Sequence, residues 1–209
     1  KSLKQKHLND YKFIGNSNSI LKVKNLIDKV AQTSSRVIIY GDSGTGKDLV
    51  AKEIHKKSNY SNGNFIIVNS ALMEPDGIEE ELFGLAENSK IIKEGFFEQA
   101  NNGTLFIDEI GNMPIQTQSK ILRVLTDSSF YRVGSNIPVN INARLLCSST
   151  ENLAKLVEEG NFRMDLFHRL NVVTINLPNL SDRIQDIDEL IEYFSEIYLT
   201  HTNSNISDL

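Results

Sequence analysis

The sequence predicts an α/β fold built on a parallel sheet, and three observations support that prediction. Short apolar runs alternate along the chain with longer segments that have helical periodicity. A glycine-rich turn, residues 41–47, follows the first apolar run and precedes a helical pattern. A later apolar run ends in the two carboxylates Asp108 and Glu109. Alternating strands and helices favour a buried parallel sheet with helices on both of its faces.

The predicted elements follow one another in a regular order. Five strands are expected, at Val37–Tyr40, Phe65–Val68, Thr104–Asp108, Arg144–Ser148 and Val172–Leu177. Helical patterns are expected at Asn18–Ala31, Lys47–Lys57, Gly77–Phe83, Ile115–Leu125 and Asp186–Thr200. A hairpin is expected to pair Phe130–Val133 with Val139–Ile141. The polar tail from His201 to Leu209 is expected to be loose.

The glycine-rich turn is the strongest chemical signal in the chain. It completes the pattern G-x-x-x-x-G-K and reads Gly41-Asp42-Ser43-Gly44-Thr45-Gly46-Lys47-Asp48. Glycines let the backbone turn tightly and point its N–H groups inward, and the following helix start adds partial positive charge. We therefore expect this loop to bind the phosphates of ATP or ADP, with Lys47 reaching the β- and γ-phosphates. Asp48 stands where a serine or threonine usually binds Mg²⁺.

A second motif strengthens the first. The apolar strand Thr104–Asp108 ends in adjacent carboxylates, and such a strand lies beside the phosphate loop in nucleotide hydrolases. Asp108 is expected to hold Mg²⁺, directly or through water, because this ion prefers a carboxylate together with phosphates and waters. Glu109 is expected to orient the attacking water and take its proton. Together the two motifs predict a nucleotide hydrolase site.

Length and composition limit the remaining possibilities. The 209 residues suit one domain with a small appendage, and the net charge of −5 disfavours a large nucleic-acid surface. No run approaches the ~20 apolar residues of a membrane span, and no signal-peptide pattern opens the chain. Cys147 is the single cysteine and lies in an apolar run, which excludes an internal disulfide and favours buried packing. These features favour a cytoplasmic protein without membrane partners.

With these motifs established, the chain resembles the central AAA+ ATPase domain of the NtrC-type bacterial enhancer-binding regulators, which act on sigma-54 RNA polymerase. The resemblance covers nearly the whole chain, and NtrX-like response regulators are the nearest subgroup. Four stretches carry it beyond the phosphate loop: G-F-F-E-Q-A-N-N-G-T-L-F-I-D-E-I (95–110), I-L-R-V-L-T-D-S-S-F-Y-R-V-G-S (121–135), F-R-M-D-L-F-H-R-L-N-V (162–172) and L-P-N-L-S-D-R-I-Q-D-I (177–187). The resemblance implies a P-loop NTPase of the AAA+ type, with a five-stranded parallel sheet flanked by helices and a partial C-terminal helical lid.

The resemblance also implies roles for individual residues. Asn69 matches the asparagine that holds the catalytic glutamate, here Glu109, in a switch. Arg163 and Arg169 match arginines that project into the site of a neighbouring subunit, where a planar, permanently charged guanidinium neutralises phosphoryl charge. On sequence alone, two arginines six positions apart near a helix are more often surface salt-bridge formers, but the F-R-x-D-L-x-x-R-L context favours the role between subunits. In this family an acidic residue is common at the position of Asp48.

The implied assembly is a ring of identical subunits, a hexamer that can form through dimers. Residues 1–12 are expected to be a linker, 13–177 the ATPase core and 178–209 the start of the helical lid. DNA would be bound through a helix-turn-helix domain outside this chain. Ser149 and Thr150 occupy the position of the family's first sensor, which is usually Thr-Asn or Thr-His, so phosphate sensing there is an open question.

One departure from the family bears directly on function. The family carries a long exposed loop that reads G-A-F-T-G-A, whereas here the shorter segment 85–94 has no trace of it. We therefore expect an ATP-hydrolysing module of a two-component transcriptional regulator that does not remodel sigma-54 polymerase, and contact with RNA polymerase is left open. Two alternatives are a non-catalytic nucleotide-binding scaffold for oligomerisation and a remodeller unrelated to transcription. The signatures at 95–110 and 162–172 argue against the second alternative.

Overall fold

A computed structural model describes residues 11–88 and 90–202 of the chain. The described strands are β1 (Val37–Tyr40), β2 (Phe65–Asn69), β3 (Leu85–Glu87), β4 (Lys90–Lys93), β5 (Thr104–Asp108), β6 (Ser129–Tyr131), β7 (Pro138–Asn140), β8 (Arg144–Ser149) and β9 (Val173–Asn176). The described helices are α1 (Asn18–Ala31), α2 (Lys47–Lys56), α3 (Ile78–Phe83), α4 (Phe96–Gln99), α5 (Ile115–Asp127), α6 (Leu153–Glu158), α7 (Met164–Leu170) and α8 (Ile187–Thr202). Short 3₁₀ turns cover Ser70–Leu72, Ile110–Asn112 and Leu180–Asp186.

The predicted five-stranded parallel sheet is confirmed. Its strands lie in the order β2-β5-β8-β1-β9, and every pairing between neighbours is parallel. Val37 at the start of β1 lies opposite Leu146 on one side and Val173 on the other. Parallel strands end at a common edge, so the segments that follow β1, β2 and β5 meet there. Ligands of open α/β sheets bind at such an edge.

Alternate residues of the sheet strands enter two apolar layers. Ile38, Leu105 and Cys147 face one layer, and Ile39 and Phe106 face the other. These side chains are essentially inaccessible to solvent, which explains why the strands read as continuous apolar runs. Burial also raises the pKa of the Cys147 thiol well above its ordinary value, so this cysteine is a packing residue, as expected.

Several predicted boundaries shift for identifiable reasons. The hairpin pairs β6 with β7, Ser129–Tyr131 with Pro138–Asn140, earlier than expected at both strands. Val133 lies outside this hairpin because its N–H donates to the Gly84 carbonyl and its carbonyl accepts from Ala86. The last helix begins at Ile187, after a 3₁₀ turn, and continues to Thr202, so its end enters the stretch expected to be loose. Residues 203–209 lie outside the described part of the chain, as do 1–10 of the expected linker.

Two features were not anticipated from periodicity. The segment 85–94 contains a small antiparallel hairpin, β3–β4, and residues 96–99 and 164–170 form the short helices α4 and α7. These helices are too short to show a clear helical period in the sequence. Among the described residues, no helix has the length and apolar character needed to cross a membrane.

Arg144 is the largest fully buried side chain of the described chain, and it ties β8 to α1. Its guanidinium donates to the carbonyls of Val30 at 2.7 Å, Ala31 at 3.3 Å and Ser35 at 3.3 Å. These carbonyls lie at and just beyond the C-terminal end of α1, where the helix has unpaired acceptors and partial negative charge. The arginine therefore supplies donors to backbone carbonyls at this helix end, where the Val30 carbonyl also accepts from the N–H and the hydroxyl of Thr33.

Replacing this arginine should destabilise the domain strongly. We expect Arg144→Ala to lower the free energy of unfolding by about 2–4 kcal/mol, because buried carbonyls lose their donors and a cavity forms. Urea denaturation followed by circular dichroism measures the change. The matched control is Arg123→Ala, since Arg123 is exposed and pairs only with Asp127 in its own helix and with the Tyr131 ring. Equal unfolding midpoints for the two variants would contradict this assignment.

Candidate functional site

The candidate site lies at the carboxyl edge of the parallel sheet, around the loop that joins β1 to α2. Gly44 and Gly46 adopt φ values of +83° and +96°, a backbone conformation that favours glycine. Gly41 has no room for a side chain, because an added Cβ would lie 2.7 Å from the Thr45 hydroxyl. The helix then begins at Lys47, with the N–H of Val50 donating to the Gly46 carbonyl. The glycines of the predicted phosphate loop are thus required by its backbone geometry.

Two adjoining cavities open around this loop. The larger has a volume of about 560 Å³ and is lined by Tyr11, Ser43, Gly44, Gly46, Lys47, Asp48, Leu49, Asn69, Asp108, Glu109 and Phe194. The second, of about 300 Å³, shares the loop and is lined on its other sides by residues that include Phe13, Ile14, Leu180, Arg183 and Leu190. A polar, charged compartment therefore adjoins a more apolar one, as a nucleotide with phosphates and a base requires.

Lys47 is almost completely buried at the floor of the larger cavity. Its ammonium donates to the Gly41 carbonyl at 2.8 Å and to the Thr150 hydroxyl at 3.1 Å, and it forms an ion pair with Glu109 at 3.0 Å. An ammonium has three protons, and these contacts use all of them. Phosphate oxygens that bind Lys47 must therefore replace one of these partners.

Glu109 follows β5 in a strained turn. Its φ of +55° lies in the left-handed region, which is uncommon for a residue with a side chain. The turn is fixed from two sides: the Glu109 N–H donates to the Ser148 hydroxyl at 3.1 Å, and the Ser70 hydroxyl donates to the Glu109 carbonyl at 2.5 Å. Strained residues of this kind persist where the surrounding structure holds them, often at functional sites. The turn directs the Glu109 carboxylate toward Lys47 and Thr150.

The Glu109 carboxylate accepts hydrogen bonds from both polar groups of Thr150, the N–H at 2.9 Å and the hydroxyl at 2.5 Å. Burial alone would raise the pKa of Glu109, but the Thr150 hydrogen bonds and the Lys47 ammonium outweigh it and hold the pKa below its ordinary value. In this nucleotide-free arrangement Glu109 is therefore an ionised carboxylate whose lone pairs are engaged.

Asn69 contacts Asp108 rather than Glu109, which differs from the expected switch arrangement. The Asn69 amide donates to one Asp108 oxygen at 2.9 Å, and the Ser148 hydroxyl donates to the other. The physical reason is the register of β2 and β5, which places Asn69 directly opposite Asp108. The left-handed turn at Glu109 carries the next carboxylate away from Asn69. Thr150 is the residue whose N–H and hydroxyl contact the Glu109 carboxylate here, and a switch role for Asn69 stays a prediction.

The donor set is consistent with Mg²⁺ bound together with phosphates. Asp108 and Asp48 both line the larger cavity, and Asp48 lies in the first turn of α2. Among the described residues, no group of three or more acidic, histidine or cysteine side chains is arranged to hold a metal ion by itself. Mg²⁺ typically takes one or two protein carboxylates and completes its shell with phosphates and water. These carboxylates therefore fit the ion only when a nucleotide is also present.

The chain matches known proteins in both sequence and structure. The profile of the Sigma-54 interaction domain matches residues 13–176. The chain belongs to the Sigma-54 interaction domain family. It is 44% identical over 188 residues to the DNA-binding transcriptional regulator NtrC of Salmonella typhimurium, covering 88% of this chain and 40% of that protein. It is 39% identical over 198 residues to the nitrogen assimilation regulatory protein NtrX of Azorhizobium caulinodans, covering 94% and 43% respectively.

Solved structures agree with this assignment. The crystal structure of NtrX from Brucella abortus in complex with ATP superimposes with a TM-score of 0.89 at 40% identity, covering 97% of this chain and 45% of that one. The P-loop NTPase domain of a sigma-54 transport activator from E. coli has a TM-score of 0.57 at 20% identity, a likeness of fold alone. The sigma-54 interaction domain described here spans less than half the length of its curated relatives and of NtrX.

Within one chain, the structure does not bring Arg163 and Arg169 to the site. Neither residue is among those that line the two cavities. Arg163 makes a bidentate ion pair with Asp165, at 3.0 and 2.7 Å, and Arg169 is exposed and donates to the Leu125 carbonyl at 3.3 Å. An action on a neighbouring subunit, as the resemblance implies, stays a prediction.

The β3–β4 hairpin takes the place of the family's long loop. Ile91 and Ile92 are about half exposed, and all four residues of β4 face solvent. At its base, the Ala86 N–H donates to the Val133 carbonyl, and a Cβ on Gly134 would lie 2.4 Å from the Ala86 carbonyl oxygen. The hairpin is thus short, and its base is held against the segment that follows β6.

Two residues of the last 3₁₀ turn, Arg183 and Asp186, make contacts that the sequence did not predict. The Asp186 carboxylate accepts from the N–H groups of Asn16 and Ser17, at 2.7 and 2.6 Å, and from the Ser17 hydroxyl at 2.7 Å. Arg183 is 92% buried and donates to the Thr45 carbonyl at 3.4 Å. The 177–187 signature contained both residues, but only the fold reveals that Arg183 lines the second cavity and that Asp186 binds the segment before α1.

The lowered pKa of Glu109 makes a testable statement about stability. Because the folded-state pKa lies below the ordinary value of 4.5, the pairing stabilises the domain above that pH and is lost as the pH falls through the lowered value. We expect Glu109→Gln without nucleotide to lower the free energy of unfolding at pH 7 by about 1–2 kcal/mol, since Lys47 loses its counter-charge. Denaturation midpoints from pH 7 down to pH 3 should converge for variant and wild type.

The control for this experiment is Glu159→Gln, which removes one carboxylate from an exposed ion pair with Lys155. That substitution should change stability by less than about 1 kcal/mol at any pH. A Glu109→Gln deficit that stayed constant down to pH 3 would show that lost packing, rather than the charge of Glu109, causes it.

Proposed function

We propose that this sigma-54 interaction domain binds ATP and hydrolyses it as one subunit of a ring, within a bacterial two-component transcriptional regulator. The observation that carries the proposal is that Lys47, from the start of α2, and the adjacent Asp108 and Glu109, from the end of β5, line one cavity beside the glycine-rich loop. That set contains a cation for phosphates, a carboxylate for Mg²⁺ and a carboxylate for proton transfer. The crystal structures of Brucella NtrX in complex with ATP and with ADP support nucleotide binding by this domain.

In this proposal the two cavities divide the nucleotide between them. The N–H groups of Gly44, Thr45 and Gly46 face the phosphates, and the start of α2 adds the field of its helix dipole. The base lies in the second cavity, between the apolar side chains of Ile14 and Leu180. When bound, Mg²⁺ would neutralise charge on the phosphates, held by Asp108 with Asp48 close by.

The Lys47–Glu109 ion pair links phosphate binding to the pKa of Glu109. Phosphate oxygens attract the Lys47 ammonium away from Glu109, so the carboxylate loses one of the groups that lower its pKa. Glu109 then becomes a better proton acceptor and is free to turn toward a water molecule near the terminal phosphate. Thr150 holds the carboxylate until that exchange occurs. Phosphate binding and activation of Glu109 as a base are thus coupled through the Lys47 ammonium.

A non-catalytic scaffold is the second candidate, and one observation favours it. Thr150 and Lys47 engage the Glu109 carboxylate fully, while Asn69 is turned to Asp108. If that arrangement persisted with ATP bound, nucleotide would stabilise an assembly without turning over. The first candidate, ATP hydrolysis, is preferred because the phosphates of ATP would compete with Glu109 for Lys47. A non-catalytic scaffold does not explain why Lys47 is paired with Glu109.

Two substitutions separate binding from turnover. We expect Lys47→Ala in the full-length protein to weaken ATP binding strongly, because it removes the charge on the β- and γ-phosphates, as measured by titration calorimetry. We expect Glu109→Gln to retain binding and lose turnover by about 10²–10⁴-fold, because an amide cannot take a proton. A wild-type protein that binds ATP without any turnover would favour the scaffold. Equal affinities for wild type and Lys47→Ala would contradict the site itself.

We further propose that the hydrolysis cycle does not remodel sigma-54 polymerase, and that DNA is bound through a helix-turn-helix domain outside this chain. The β3–β4 hairpin is short, and its exposed apolar pair is Ile91-Ile92, flanked by Lys90 and Lys93. The base of the hairpin is fixed to Val133 by backbone hydrogen bonds. It therefore has neither the reach nor the contact residues of a G-A-F-T-G-A loop.

This second part of the proposal has its own test. The full-length protein, at its own DNA site and with ATP, should give no open complexes with purified sigma-54 polymerase, while its ATPase remains measurable. Permanganate footprinting of the promoter detects open complexes, and an NtrC protein on its own promoter is the positive control. ATP-dependent opening by this protein would overturn the proposal.

A further inference from the structure

Two arginines meet at the amino-terminal edge of the sheet, opposite the nucleotide cavity. Arg36 directly precedes β1, and Arg169 lies at the end of α7, shortly before β9. Because Val37 pairs in register with Val173, the segments that precede the two strands lie side by side. The proximity of Arg36 and Arg169, which are 133 positions apart, is thus a direct consequence of the parallel pairing.

The two guanidinium groups converge on a single acceptor. Arg36 donates to the Leu125 carbonyl at 3.0 Å, and Arg169 donates to the same oxygen at 3.3 Å. A second nitrogen of Arg36 approaches the Arg169 carbonyl at 3.5 Å. Leu125 lies in the last turn of α5, where unpaired carbonyls and the helix dipole attract cations. This oxygen holds both arginines, although each would bind it better without the other.

No carboxylate compensates this pair within the described residues. Neither Arg36 nor Arg169 takes part in any ion pair found there, whereas Arg123 and Arg132 have Asp127 and Glu98 as partners. Burial, and then the neighbouring charge of Arg169, lower the pKa of Arg36. Each guanidinium has five N–H donors, so most donors of Arg169 are not used by its one bond to Leu125.

The pair is also asymmetric. Arg36 is half-buried and is anchored between two carbonyls, whereas Arg169 is exposed and makes one long hydrogen bond. Like charges repel, so the anchored guanidinium drives the exposed one outward. Arg36 also shares the Leu125 oxygen with Arg169 and makes the shorter of the two bonds, 3.0 against 3.3 Å, so Arg169 is held there the more weakly. Both effects leave Arg169 ready to leave the surface for an external anion.

The described residues that line the larger nucleotide cavity include no arginine, whereas the amino-terminal edge of the sheet has two. The basic side chain in that cavity is Lys47. Arg183, in the second cavity, is directed to the Thr45 carbonyl. A planar guanidinium suits the charge that develops during phosphoryl transfer. The site is thus incomplete without a second copy of the chain.

We propose that Arg36 is a positioning residue that holds Arg169 poised to enter the nucleotide site of a neighbouring copy. This inference rests on the proposed ATPase function and on action between subunits. Arg36 itself does not contact the nucleotide: it acts through its charge and through the carbonyls of Leu125 and Arg169. Removing that charge leaves the Leu125 oxygen to Arg169 alone and strengthens their bond, so fewer interfaces then have a productive arginine.

The first test compares steady-state ATPase parameters of the full-length protein with those of three variants. Arg36→Gln should lower kcat about tenfold with little change in KM, since misplacing a catalytic group by about an ångström costs up to ~10²-fold. Arg36→Lys keeps the charge and should recover most of the lost rate. Arg123→Gln, on α5 but away from the pair, should behave as wild type. Thermal unfolding of each variant shows that it is folded.

The second test asks whether Arg36 acts between subunits. Mixed assemblies of Arg36→Gln and Glu109→Gln subunits should turn over faster than either variant alone, because some interfaces combine an intact Glu109 with an intact Arg36. A parallel mixture of Arg169→Ala with Glu109→Gln provides the benchmark, and co-assembly is checked by affinity capture of a tagged subunit.

The outcomes separate this inference from the function on which it rests. No turnover by wild type would overturn both. A restored benchmark with an unchanged kcat for Arg36→Gln would overturn only the role of Arg36. An impaired Arg36→Gln that no mixture restores, or an Arg36→Lys variant that is equally impaired, would mean that Arg36 acts structurally in its own subunit, and the inference would be wrong.

Discussion

Parallel pairing around β1 is the constraint on which the rest of this structure depends. β1 lies between β8 and β9, and β8 continues the sheet to β5 and β2. The carboxyl edge therefore brings Lys47 beside the adjacent Asp108 and Glu109, the first of which lies 61 positions further along the chain, and the amino edge brings Arg36 beside Arg169. A one-residue slip in any pairing would send alternate side chains to the opposite face and separate these groups. The two edges thus have distinct chemistry because one register determines both.

Lys47 and Glu109 neutralise each other at the carboxyl edge. Lys47 is buried and is paired with Glu109, and Thr150 contacts both residues. In the proposed function, the same ammonium therefore binds phosphate and restrains the candidate base. At the amino edge the charge is not balanced, because the described residues offer Arg36 and Arg169 no carboxylate. One edge thus has the ion pair of Lys47 with Glu109, and the other has two arginines without a carboxylate. This difference fits the proposal that neighbouring subunits complete each other's sites.

The segment between α3 and α4 is a short hairpin whose base is held through the backbone. Gly84, which precedes the β3–β4 hairpin, has a φ of +80°, and Ala86 is bound to Val133 through the backbone. Ile91 and Ile92 of β4 are about half exposed. The phosphate loop and the carboxylates of the candidate site lie in other segments of the chain. The proposed loss of polymerase contact therefore concerns a segment that is separate from the candidate nucleotide site.

The sequence by itself determined the elements whose signals are local. Continuous apolar runs predicted the five sheet strands, and the G-x-x-x-x-G-K pattern predicted a loop that the backbone of Gly44 and Gly46 requires. Only the tertiary structure decided which polar groups meet. Asn69 binds Asp108 across 39 positions, and Thr150 binds Glu109 across 41. Such contacts depend on strand register and on the left-handed turn at Glu109, which no local pattern encodes. The meeting of Arg36 and Arg169 has the same origin, because each arginine alone resembles an ordinary surface residue.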